Sequence, residues 1–215
     1  MTISKDNVTA VILAGGKGRR LDGQDKGLVE LNDIPLIEYV LERITPQVNT
    51  LIINANRNQA HYEKYGYSVI SDHLSDFQGP LAGVVAAMTA VNTSYLLTLP
   101  CDAPFIPHDL VDRMLSQLAM QFPANHSKDV QTKDVQTKKE MIVVAHDGKQ
   151  LQTVHALIPV ALLQSLQTFL HTDQRKVEDW YQQHELLITD FSDIPHAFVN
   201  INTQKQRQEI EFTLQ

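Results

Sequence analysis

Short apolar runs alternate along this chain with stretches in which apolar positions return every three or four residues. Residues 8–13, 50–54, 68–71 and 95–99 have compact Val, Ile and Leu cores and read as strands. Between them, Leu36–Ile44 carries a helical pattern that halts at Thr45-Pro46, and 59–65 reads as a short helix. Pro80 opens a helix reaching Ala90, since proline is tolerated at a first helical position. After Pro107, the four-residue spacing of Leu110, Met114 and Leu118 marks an amphipathic helix. Further strands are predicted at 141–145, 154–158, 186–190 and 197–201, with helices at 160–170 and 176–183. A last helix starts after Asn202 or Thr203, both capping residue types. Strands and helices in alternation predict an α/β fold, a three-layer, doubly wound, mostly parallel sheet of Rossmann type.

At 215 residues this is one domain, able to bury about 70% of its unfolded surface. Residues 123–139 break the rhythm: Lys128-Asp129-Val130-Gln131-Thr132 is repeated at once as Lys133-Asp134-Val135-Gln136-Thr137. The segment reads as a flexible surface loop, because loop closure entropy grows slowly with length.

The formal charge of -7 argues against a nucleic-acid binder or a protein of anionic membrane surfaces, either of which would carry a broad basic face. The N-terminal residues are polar, and the longest apolar stretch, 84–91, falls far short of the ~18 residues a bilayer demands. The lone Cys101 rules out a disulfide within the chain. A cytoplasmic monomer is the expectation.

Against that acidic background, Lys17, Arg19, Arg20 and Lys26 gather in the glycine-rich turn that follows the first strand. Glycines let backbone N–H groups approach phosphate oxygens while the cations neutralise charge. The turn is not a P-loop, since Gln24-Asp25 follow Gly23 where lysine and a hydroxyl are required, and Leu21 replaces the third glycine of a dinucleotide fingerprint. Backbone N–H groups around Ala14–Gly16, with Lys17 and Arg19, would cradle the β- and γ-phosphates of a nucleotide bound at Leu13, Ala14 and Gly15, and Lys26 would return to the α-phosphate.

Asp102 stands just past a buried strand, between Pro100 and Pro104, where open α/β sheets place ligand chemistry. A hard carboxylate there suits Mg²⁺, which takes one or two carboxylates together with phosphate oxygens and water. Cys101 has no histidine partner at a telling spacing and reads as a small buried thiol. The nine histidines form no zinc-type pair, and His155 is either a second-substrate contact or a core histidine. Asn54 ends a strand and offers both donor and acceptor to a base or ribose.

Taken together, Leu13-Ala14-Gly15-Gly16 with Arg19-Arg20, Asp25-Lys26-Gly27-Leu28, Gly79-Pro80-Leu81-Ala82-Gly83 and Pro100-Cys101-Asp102-Ala103-Pro104 resemble the signature of nucleotidyltransferases, closest the molybdenum cofactor guanylyltransferases. Asn54-Ala55-Asn56-Arg57 and Phe198-Val199-Asn200-Ile201-Asn202-Thr203 match more faintly. The resemblance implies GTP as nucleotide substrate, Mg²⁺ as cofactor, molybdenum-bearing molybdopterin as acceptor, and transient contact with cofactor-synthesis or acceptor proteins. It makes Arg19, Lys26 and Asp102 the catalytic set, with Asp72 and Asn54 on the nucleotide. It also divides the chain into a nucleotide half, 1–122, and an acceptor half, 140–215, with Arg175, Lys176, Asn200 and Asn202 as acceptor candidates. Leu21-Asp22 and Gln152-Thr153 depart from the family pattern, and the duplicated pentapeptide is foreign to it. The rivals are a cytidylyltransferase of the same pathway, a sugar-phosphate nucleotidyltransferase, or a nucleotide-binding regulator without chemistry.

Overall fold

The computed structural model describes residues 3–14, 24–72, 79–121 and 140–213. Among these residues nine strands lie in this order: β1 Val8–Leu13, β2 Glu30–Leu31, β3 Ile34–Pro35, β4 Thr50–Asn54, β5 Ser68–Ile70, β6 Tyr95–Pro100, β7 Ile142–His146, β8 Leu151–Pro159 and β9 Leu186–Asp190. The helices are α1 Leu36–Ile44, α2 Gln59–Tyr62, α3 Pro80–Ala90, α4 Leu110–Met120, α5 Leu163–His171, α6 Val177–Tyr181 and α7 Gln204–Thr213.

Seven strands form the central sheet in the order β5-β4-β1-β6-β8-β7-β9, and only β8 runs against the others. The chain builds outward from β1 through β4 to β5, then returns to place β6 on β1's other side. That reversal opens a crevice beyond the carboxyl ends of β1 and β6. Register aligns Leu13 with Asn54 on one side and with Pro100 on the other, so the residues that follow all three converge there.

Alternation along β1 explains its unbroken apolarity. Val8, Ala10 and Ile12 join the layer formed with α1 and α4, while Val11 faces the layer formed with α3, α5 and α6. In α3 every residue from Leu81 to Met88 is buried, because the helix is enclosed by the sheet and by α5.

Several predicted elements take a different form. The segment 59–65 is α-helical only to Tyr62, then tightens into a 3₁₀ turn ending at Gly66, whose φ of 80° closes it. The strand predicted at 197–201 is replaced by a 3₁₀ turn, Pro195–Phe198, opened by a proline that has no N–H for a sheet. The helix expected from residue 160 begins as a 3₁₀ turn, Val160–Leu162. The β2–β3 ribbon was not foreseen, although Asn32 and Asp33, with φ of 50° and 63°, are the residue types a two-residue hairpin turn selects. At the last helix, Thr203 Oγ1 accepts the Gln206 N–H at 3.2 Å, so Thr203 provides the cap.

Candidate active site

Turns after three neighbouring strands build the site. Beyond β1, the Ala14 N–H donates to the Asn54 carbonyl at 2.8 Å, and the Cys101 N–H donates to the Leu13 carbonyl at 3.3 Å. These bonds carry the sheet ladder one residue past its formal end. The segment 100–102 is thereby fixed, and Asp102 emerges with its side chain 8% exposed.

Lys26 comes from a 3₁₀ turn, Lys26–Leu28, set between β1 and β2. Its Nζ lies 2.9 Å from Asp102 Oδ2 and also donates to Asn202 Oδ1. Asn202 arrives from the far end of the chain, held in place where the Ile201 N–H donates to the Asp102 carbonyl at 2.9 Å. Lysine, aspartate and asparagine, far apart in sequence, thus meet at the crevice between β1 and β6.

A second polar group lies beyond β4 and β5. Asn54 Nδ2 donates to Asp72 Oδ1 at 2.9 Å and Asn56 Nδ2 donates to Asp72 Oδ2 at 2.8 Å, while the Asp72 N–H donates to Asn56 Oδ1 at 2.9 Å. Asp72 therefore fixes both amides in one orientation, with Asn54 Oδ1 turned towards α3. A Cβ on Gly83 would lie 2.5 Å from that oxygen, so the glycine is what lets the helix approach so closely.

Burial pushes the Cys101 thiol well above its usual range, reinforced by the neighbouring Asp102 carboxylate. A thiol held protonated is a poor nucleophile, in keeping with the packing role read from the sequence. His155 is likewise a core residue: its ring stands edge-on to Phe198 at 5.0 Å, and burial pushes it down to about 3.

Of the predicted acceptor residues, Asn202 reaches Lys26, and the Asn200 amide oxygen is buried with no hydrogen-bond partner among the described residues. Arg175 is turned back on its own helix end, donating to the Leu170 and Gln174 carbonyls and pairing with Asp173. Lys176 is exposed at the start of α6. Gly15, Lys17, Arg19 and Arg20 lie outside the described residues. The residues that sequence reasoning missed are Tyr62 and Asn58, which with Arg57 surround Asp25. Asp25 accepts from Tyr62 Oη and, at 3.0 Å, from Asn58 Nδ2, with Arg57 Nε at 3.6 Å. The faint Asn54-Ala55-Asn56-Arg57 match pointed to part of this group, whereas Tyr62 read only as an apolar helix position.

The model of the MobA-like NTP transferase domain family matches residues 10–187. A molybdenum cofactor guanylyltransferase of Shewanella piezotolerans is 46% identical over 210 residues, covering 98% of this chain and 93% of the relative. One from Shewanella sediminis is 46% identical over 203 residues, covering 94% and 95% of the two chains. Among solved structures, molybdopterin-guanine dinucleotide biosynthesis protein A from Archaeoglobus fulgidus superposes with a TM-score of 0.71 at 19% identity, over 96% of this chain and 98% of its own, and shares the fold.

Proposed function

The chain belongs to the molybdenum cofactor guanylyltransferases, a nucleotidyltransferase family, and from that premise we propose that it transfers GMP from GTP to molybdenum-bearing molybdopterin, releasing pyrophosphate. The observation that carries the chemistry is the convergence of Lys26, Asp102 and Asn202 at the crevice where the strand order reverses. Phosphoryl-type transfer is mainly positioning and charge neutralisation, and an ammonium held beside a fixed carboxylate supplies both.

Asp102 suits a hard divalent cation, because its nearly buried carboxylate already faces a cationic group, the Lys26 ammonium, at 2.9 Å. Among the described residues no three His, Cys, Asp or Glu side chains gather around a common point, so Asp102 would hold Mg²⁺ with phosphate oxygens and water completing its shell. When bound, Mg²⁺ supplies positive charge against the triphosphate and its pyrophosphate leaving group.

Lys26 then turns from Asp102 to the α-phosphate, where negative charge develops as the acceptor's phosphate attacks in line. That phosphate is already anionic at neutral pH, so no side chain has to remove a proton. Asn54, oriented by Asp72, lines the nucleotide side, and Asn200 and Asn202 line the acceptor side.

The test is thermal stabilisation by GTP, CTP, ATP and UTP, each with Mg²⁺, followed by turnover with molybdopterin. A nucleotide present at 100 times its Kd adds ~2.7 kcal/mol, easily read in a melt. Selective stabilisation by GTP that is lost in Asp102→Ala supports the reading. A preference for CTP transfers the protein to the cytidylyl branch, and no response to any nucleotide overturns it.

A further inference from the structure

Asp25 is the acidic neighbour of Lys26, yet it faces away from the crevice. It occupies the capping position of the Lys26–Leu28 turn and makes no side-chain bond to that turn. Its side chain, 3% exposed, is instead directed at α2 and the residues just before it. Tyr62 Oη donates to Oδ1, Asn58 Nδ2 donates to Oδ2 at 3.0 Å, and Arg57 Nε lies 3.6 Å from Oδ2. Arg57 Nη2 also donates to the Gln24 carbonyl at 2.7 Å, holding the residue before Asp25. With both oxygens engaged, Asp25 is poorly placed to bind metal or substrate.

On the other side of Lys26, Gly27 is gripped from two directions. A Cβ there would lie 2.7 Å from Tyr62 Oη and 3.3 Å from Cys101 Cβ. Tyr62 is fully buried, and burial pushes its phenol far above the usual range, so it remains a donor. Cys101 immediately precedes Asp102. One buried tyrosine thus bonds Asp25 and leaves no room for a side chain at Gly27, the two neighbours of Lys26, and so seats the turn against the strand end that carries its carboxylate partner.

We infer that Tyr62, acting through Asp25 and Gly27, is a positioning residue for Lys26: it sets where the ammonium stands relative to Asp102 without touching substrate. This inference rests on the guanylyltransferase reading for its catalytic consequence, while its structural consequence stands apart from it.

The test uses the whole protein carrying Tyr62→Phe, which removes only the hydroxyl. The second variant is Asn58→Gly, which removes the amide donor and keeps a backbone suited to that residue's φ of 51°. In the ligand-free protein, the Lys26 side-chain NMR signal, assigned through Lys26→Arg, is expected to move towards that of an exposed lysine in both variants. In turnover with Mg-GTP and molybdopterin, Tyr62→Phe is expected to lower kcat by about tenfold with KM for GTP within twofold, since small misplacements of reacting groups cost up to ~10² in rate. In a Lys26→Ala background the same substitution should have no further effect on kcat. An unchanged Lys26 signal in both variants, or losses that multiply in the double variant, overturns the positioning role. If the wild-type protein fails to transfer GMP, the proposed function falls, and the Lys26 signal still decides this inference.

Discussion

Lys26 and Asp102 form what could be a structural salt bridge, and magnitudes separate that role from a catalytic one. The ammonium is 29% exposed but the carboxylate only 8%, so removing the lysine leaves a nearly buried charge unpaired, at a cost of up to ~3–5 kcal/mol. Removing a preorganised cation from a charged transition state costs ~10²–10³ in rate. Lys26→Ala should therefore lower the melting temperature by up to about 20 °C, and should lower turnover by that factor even at a temperature where the variant remains fully folded. A loss of less than tenfold in a kinetic assay would remove Lys26 from the mechanism. His155 makes the opposite case, a residue whose effect lies in stability. Its folded-state pKa, about 3, is below the unfolded value near 6.5, so the unfolded chain binds more protons between these limits. Stability is fully present above pH 6.5 and falls as pH drops towards 3, by up to about 1.4 kcal/mol per unit from this residue alone. His155→Phe should narrow the gap in urea midpoints between pH 7 and pH 5. Both readings of His155 were open in the sequence, because a strand position does not reveal whether a phenylalanine from a distant turn covers the ring.

At the scale of elements, the close approach of α3 to β1 and β4 depends on one glycine. Alanine at position 83 would gain about 1 kcal/mol of helix propensity. Its Cβ would however meet Asn54 Oδ1 at 2.5 Å and Leu13 Cδ2 at 3.0 Å. The Asn54 amide is tied to Asp72 and cannot swing away cheaply, so overpacking of ~1–3 kcal/mol outweighs the gain. Gly83→Ala should lower the urea midpoint and weaken GTP-dependent stabilisation together. If only stability changes, Asn54 does not line the nucleotide site. The sequence showed α1 and α4 through their apolar periods, α3 through its opening proline, and β1, β4, β5 and β6 through compact apolar runs. It misplaced 197–201, where Phe198 and Ile201 have strand-like character but Pro195 sets a 3₁₀ turn. It missed the β2–β3 ribbon because two residues per strand leave no period to detect. Lys26 and Asp102 were legible from turn chemistry and family pattern, whereas the Tyr62–Asp25 contact depends on how α2 docks, which no local pattern encodes.

Across the whole molecule, residues 26 and 202 meet at one ammonium. Asn202 follows the last strand and reaches Lys26, so the half assigned to the acceptor touches the residue assigned to the nucleotide. Charge at position 202 should therefore set the balance between bare metal and metal with nucleotide. Asn202→Asp places a second carboxylate at Lys26 beside Asp102. Two neighbouring carboxylates favour a hard divalent cation over a triphosphate, because each attracts the first and repels the second. Mn²⁺ used as a spectroscopic probe should bind the nucleotide-free variant more tightly than the wild type, while stabilisation by Mg-GTP should fall. The opposing directions matter, since a variant that merely loosened the fold would weaken both. If both affinities fall together, position 202 acts through packing, and the coupling between the two halves must run through another contact.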